Sequence, residues 1–192
     1  MSVATITPPV TTPVLLEHAR HHVRADEGYD DVYLTALIEA ATLLAEKWLG
    51  RSLITQTLEM RLDAFWSCPT LPLRRPPILA VTDIRYDDAG GDEVVLDDEA
   101  YRLVNMPDAS LALAYGATSW PTPITGADAV RVRYTAGYGP APGDVPMPIR
   151  QAILLFIGHW FANRETVLIG QTPAQLPIAA EALLSAYRVP IL

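Results

Sequence analysis

The stretch running from Pro146 to Arg164 limits what this chain can fold into more than any other. After Pro146 and Pro148 come Ile149, Ala152, Ile153, Leu154, Leu155, Phe156 and Ile157, relieved by Arg150, Gln151 and His159. The run predicts a helix over residues 146–164, and a helix apolar on so much of its circumference must be covered on several sides. Its apolar part falls short of the roughly 20 residues that span a bilayer. Directly upstream, Val130, Val132 and Tyr134 alternate with Arg131, Arg133 and Thr135. That period of two marks a half-buried strand, which stops at Gly137-Tyr138-Gly139. The chain passes abruptly from sheet to helical core.

The remaining pattern is segregated in the same way. Leu15, Leu16, Ala19 and Val23 give one face of a short helix over residues 14–23. Leu34, Leu37, Ile38, Ala41, Leu44 and Trp48 then mark a helix over residues 30–49. Asp30 and Asp31 stand where a cap and the helix dipole favour carboxylates, and Gly50 where a C-terminal stop is expected. At Ile54 the period changes to two. Leu58, Met60 and Leu62 oppose Glu59, Arg61 and Asp63; Thr82, Ile84 and Tyr86 oppose Asp83, Arg85 and Asp87. A turn at residues 87–92 predicts a hairpin with residues 93–96. Short strands are expected at 101–104 and 110–114, a last strand at 130–135, and a fourth helix at 177–187. Helices, then strands, then helices argue for an α+β fold. The expected architecture is a helical bundle formed by the N- and C-terminal helices with an inserted antiparallel β-module. Residues 1–13 read as an extended N-terminal segment. Residues 14–192 read as a single domain, with helices in 14–50 and 146–188, the β-insertion at about 54–136 and a tail at 189–192.

Composition excludes several function classes. The formal net charge is −8, which disfavours a surface that wraps nucleic acid. Lys47 is the one lysine; the other cations are arginines, suited to fixed contacts with carboxylates. Cys68 is the one cysteine, so no disulfide framework exists within the chain. Residues 1–13 have neither the basic nor the apolar region of a signal peptide.

No constellation of residues carries obvious chemistry. His18, His21 and His22 share a helix face at metal-binding spacing, yet nothing beyond Glu17 offers a further ligand, and a polar helix face is the favoured reading. Eight acids crowd residues 83–99 around Arg85. Their spacing lacks the ligand pattern of a calcium loop, and a solvated hairpin tip that discourages edge pairing explains them better. His159 has no nucleophile or orienting acid in view. There is no nucleophile elbow and no glycine-rich phosphate loop leading into a helix. The expectation is a protein without catalytic residues, cofactor or metal.

Several ordered segments resemble a known family. They are Leu34-Thr35-Ala36-Leu37-Ile38-Glu39-Ala40-Ala41 running to Gly50-Arg51-Ser52-Leu53-Ile54; Leu71-Pro72-Leu73-Arg74-Arg75-Pro76-Pro77-Ile78; residues 130–139; Pro148-Ile149-Arg150-Gln151-Ala152-Ile153; His159-Trp160-Phe161-Ala162-Asn163-Arg164-Glu165; and Leu183-Leu184-Ser185-Ala186-Tyr187-Arg188. In order and spacing the chain resembles the phage head–tail connector family, also called adaptor or head-completion proteins, including prophage and gene transfer agent versions. The resemblance implies a structural protein of the virion or phage-like particle, assembled in the bacterial cytoplasm. It implies a homo-oligomeric ring of about twelve copies beneath the portal protein, extending the DNA channel and docking a stopper or tail protein. DNA would pass without sequence-specific binding, and no membrane would be involved. By position, the portal-contact candidates are Tyr187, Arg188, Val189, Pro190, Ile191 and Leu192. Alternative readings are another neck protein, such as a stopper or tail terminator, or a small ligand-binding β-module.

Overall fold

The computed structural model describes residues 1–106, 108–113, 119–164 and 178–189. Its elements are β1 (Ser2–Thr7), α1 (Leu16–Val23), α2 (Asp31–Leu49), β2 (Gln56–Leu62), β3 (Thr70–Pro72), β4 (Ile78–Asp87), β5 (Glu93–Val95), β6 (Tyr101–Met106), β7 (Asp108–Leu113), β8 (Val130–Ala136), α3 (Met147–Ala162) and α4 (Ile178–Ser185). This is the α+β fold that the segregated order of elements implies, except that a strand, β1, precedes the first two helices and joins the later strands. The chain forms two compact units. One combines Met1–Pro9 with Thr55–Tyr138, and the other combines Val10–Ile54 with Gly139–Leu192.

The first unit is built on a five-stranded sheet of order β1-β2-β8-β4-β5 and a three-stranded sheet of order β3-β7-β6. Register explains why alternation in the sequence becomes a core. Met60 stands opposite Val132, and Val132 opposite Ile84; Leu62, Val130 and Tyr86 form the next row. Those rows meet Leu71 and Leu111 of the smaller sheet, and Leu73 just beyond β3, in one buried cluster. Each large side chain taken fully out of water there contributes about 1.5–3 kcal/mol. Trp120 seals one end, its indole N–H donating to the Cys68 carbonyl at 3.1 Å while Phe65 stacks on it at 5.2 Å. Ser2–Thr7 supplies an edge strand, with Val3 paired to Met60 and Ala4 to Glu59.

In the second unit α3 touches α1, α2 and α4. It buries Ile149, Ala152, Ile153, Phe156 and Ile157. Leu34, Leu37, Ile38, Ala41, Ala45 and Leu49 form the buried stripe of α2. Gly50 ends α2 in the left-handed conformation at φ 67°, its N–H returning to the Glu46 carbonyl at 2.9 Å. The start of α2 departs from expectation. Asp30 occupies the cap position but makes no side-chain cap bond. Its carboxylate accepts from Arg164 at 2.8 Å, and Asp31 accepts two bonds of 2.6 Å from Arg20. Both acids tie neighbouring helices together instead of closing their own.

Gly139 bridges to Ile54 just before the helical core. A Cβ at Gly139 would fall inside the side chain of Asp144, whose carboxylate accepts the Ala141 N–H at 2.8 Å. Gly139→Ala is therefore expected to destabilise the fold by about 1–3 kcal/mol, as overpacked sites do, read as a lower urea midpoint. An unchanged midpoint would mean that Asp144 moves aside freely.

Candidate assembly surfaces

The charged residues of the first unit are organised by strand register. Glu59 pairs across β8 with Arg133, which in turn stands opposite Asp83; Arg61, Arg131 and Arg85 form the adjacent row. Arg133 and Arg61 reach the Glu59 carboxylate at 2.9 and 2.8 Å, and Glu59 is only 5% exposed. Burial pushes the Glu59 pKa upward, but the hydrogen bonds and charges of the two guanidiniums outweigh it and hold the carboxyl below its ordinary value. Further along, Arg131 holds Asp87 and Glu93, at 2.5 and 2.9 Å, and Arg85 holds Asp83 and Glu93 at 3.0 and 3.1 Å.

The acidic segment of residues 83–99 is thus largely engaged. Asp88 accepts the N–H groups of Gly90 and Asp92, Asp97 accepts that of Glu99, and Asp98 accepts the Tyr101 hydroxyl. Reading the segment alone counted one cation, Arg85. The second, Arg131, arrives from β8, and its signal was the charged phase of the alternation in residues 130–135.

The histidines of α1 do not form a metal centre: among the described residues no group of three His, Cys, Asp or Glu side chains could hold an ion. His18, His21 and His22 line a groove of about 510 Å³ that also takes in Val14, Met147, Arg150 and Leu154. The aromatic side chains of the helical unit are used in packing. Trp160 stacks on Phe156, and Phe161 lies 6.1 Å from Tyr33 with Arg164 over both of the latter rings.

Of the C-terminal candidates, Tyr187, Arg188 and Val189 fold back onto the end of α2. Arg51 donates through Nε to the Tyr187 carbonyl at 2.5 Å, and the Val189 N–H donates to the Leu49 carbonyl at 2.9 Å. The Arg188 guanidinium lies 5.1 Å from the centre of the Trp48 ring. Pro190, Ile191 and Leu192 lie outside the described residues.

A chain whose polar groups are engaged in its own packing, and which combines this α+β fold with exposed apolar faces, has the character of a structural component. Solved particle structures give that class a setting. A chain in the virion of a native gene transfer agent particle superposes with a TM-score of 0.81 and 26% identity, covering 100% of this chain and 98% of its own. Chains from the neck of the empty particle computed with C6 symmetry, and from the neck of the native particle computed with C12 symmetry, give 0.82 and 0.79 at 26% and 25% identity, with the same coverage. No family model and no curated protein matches the chain.

The Glu59 site sets a pH dependence. Its folded pKa lies below its unfolded value, so its stabilisation is present above about pH 4.3 and is lost as pH falls through the folded value. Glu59→Gln is expected to lower stability at pH 7 by about 1–3 kcal/mol and to flatten the acid limb of the stability curve. Urea titrations at neutral and acid pH measure both; an acid limb as steep as that of the native chain would assign it to other carboxylates.

Proposed function

We propose that this chain is a structural head–tail connector of a tailed phage or phage-like particle, sited at the neck and without catalytic activity. The observation that carries the reading is end-to-end similarity to gene transfer agent neck chains, at TM-scores of 0.79–0.82 over the whole of this sequence. Copies form a ring beneath the portal protein, and C12 symmetry in one such neck supports a count of twelve. The ring extends the DNA channel and offers its far side to a stopper or tail protein. A net charge of −8 suits a wall past which DNA slides without being held.

The portal-facing segment in this reading is Tyr187–Leu192, with Tyr187–Val189 fixed to the end of α2 and residues 190–192 continuing beyond that anchor. Mass measurement of the full chain mixed with its portal protein is expected to give a ring-sized species. A monomer that ignores the portal would overturn the reading, and a ring that binds the tail but not the portal would favour a stopper or terminator.

Removing residues 190–192 leaves the Val189–Leu49 hydrogen bond in place. The truncated chain is expected to keep its thermal midpoint while losing stable co-sedimentation with the portal. Full portal binding by the truncated chain would remove those residues from the docking surface.

A further inference from the structure

Helix α2 is apolar on two opposite faces. One face is the buried stripe against α3. On the other, Val32, Ala36, Ala40 and Leu43 follow one another at helical spacing and are all exposed; Val32 is 86% and Leu43 66% accessible. Tyr29, in the turn before α2, is 91% exposed. A helix apolar all round is normally covered all round, and a contiguous exposed apolar row of this kind marks a contact surface. Alanines between the larger residues let another backbone approach closely. The row carries Glu39 near its middle, exposed and a turn from both Ala36 and Leu43, and the exposed Lys47 one turn beyond Leu43.

The same unit holds a groove that could receive such a row. It has a volume of about 510 Å³, lies between α1 and α3, and is lined by Val14, Met147 and Leu154 together with the three α1 histidines and Arg150. Met147 is 64% exposed. Arg150 is anchored at the groove by a 3.0 Å bond from its Nε to the Val145 carbonyl. Gly158 shapes the neighbouring wall, since a Cβ there would stand 3.0 Å from His22 Nε2.

We propose that the outer face of α2 docks into the α1–α3 groove of a second copy of this chain, with Glu39 meeting Arg150 across the contact. This rests on the connector reading above and specifies how its copies join. A ring needs a heterologous contact, in which two different patches of one molecule complement each other. The α2 row and the groove are two such patches, and the exposed carboxylate of one can meet the guanidinium of the other. The α2 row points away from α3, whereas the groove lies along α3, so one copy presents both at once.

The test uses the full chain with its portal protein and reads ring mass, with circular dichroism and thermal midpoint as fold controls. Leu43→Glu and Val32→Glu replace exposed side chains and are expected to leave the midpoint unchanged while weakening ring formation at least about tenfold, equivalent to 1.4 kcal/mol or more. Glu39→Arg and Arg150→Glu are each expected to weaken the ring, and the double variant E39R/R150E to recover it, because every contact then regains an opposite pair. Should Arg150→Glu disturb the fold, Glu39→Arg and the Leu43 variant still decide the matter. Rings formed by the α2 variants as readily as by the native chain would overturn this surface assignment and leave the connector reading standing. Failure of the native chain itself to form any ring would overturn both.

Discussion

Most of the helical unit follows from one constraint: α3 is too apolar to face water. Its five buried residues from Ile149 to Ile157 make one face at helical spacing, and Leu154, Leu155, Trp160 and Phe161 are half-buried beside it. Three other helices are therefore recruited around it, two from before the strands in sequence and one from after. This couples the two ends of the chain. The chain-entropy cost of bringing residues more than a hundred positions apart grows slowly with loop length, and burial of Phe156 and its neighbours exceeds it. Polar contacts then fix the arrangement. The Arg20–Asp31 and Arg164–Asp30 pairs join α1 and the end of α3 to the start of α2.

Periodicity made the elements legible because burial on one face is a local property of the sequence. The alternation of Leu58, Met60 and Leu62 located β2, and Gly50 marked the stop of α2. Partnership was less legible because it depends on register. The acids at 83–99 form the exposed hairpin tip that their composition implies, but the segment itself does not reveal that Arg131 crosses from β8 to Asp87 and Glu93. Asp30 and Asp31 have the composition of caps, yet a bidentate guanidinium satisfies a carboxylate better than a backbone N–H does. Ser2–Thr7 had no apolar alternation to announce a strand. Its residues are mostly exposed, so backbone pairing to β2 is what holds it, and composition carries no record of that. At the C-terminus, position suggested Tyr187–Val189 as a binding segment but gave no hint that their backbone is anchored on Leu49 and Arg51.

The β-unit and the helical unit handle charge differently. In the β-unit, Glu59, Arg133 and Asp83 alternate across neighbouring strands beside a row of three arginines, and Glu59 is nearly removed from solvent between Arg61 and Arg133. Such a pair is weak evidence for net stability, since desolvation offsets much of the attraction. It does fix register, because a one-residue slip would carry Glu59 into the apolar row of Leu58 and Met60. In the helical unit the paired charges sit at helix ends, and the outer row of α2 carries Glu39 and Lys47 among apolar residues.

That difference bears on how like-charged molecules can sit side by side. Copies that each carry a net charge of −8 repel one another, and screening extends only over about 8 Å at physiological ionic strength. Side chains in direct contact lie inside that distance. A contact between copies is favourable only where both surfaces are poor in unpaired acids or where an acid meets a cation. Arg85 and Arg131 offset only two of the eight acids of the 83–99 segment, so that segment is a poor surface for another copy. In the proposed contact the α2 row would bring Glu39 and Lys47, and the α1–α3 groove Arg150. In a closed ring every copy makes the same contact twice, and closure raises the effective concentration of the last partner. An interface of a few exposed apolar side chains and one ion pair can then hold a ring together while the separate chain stays soluble.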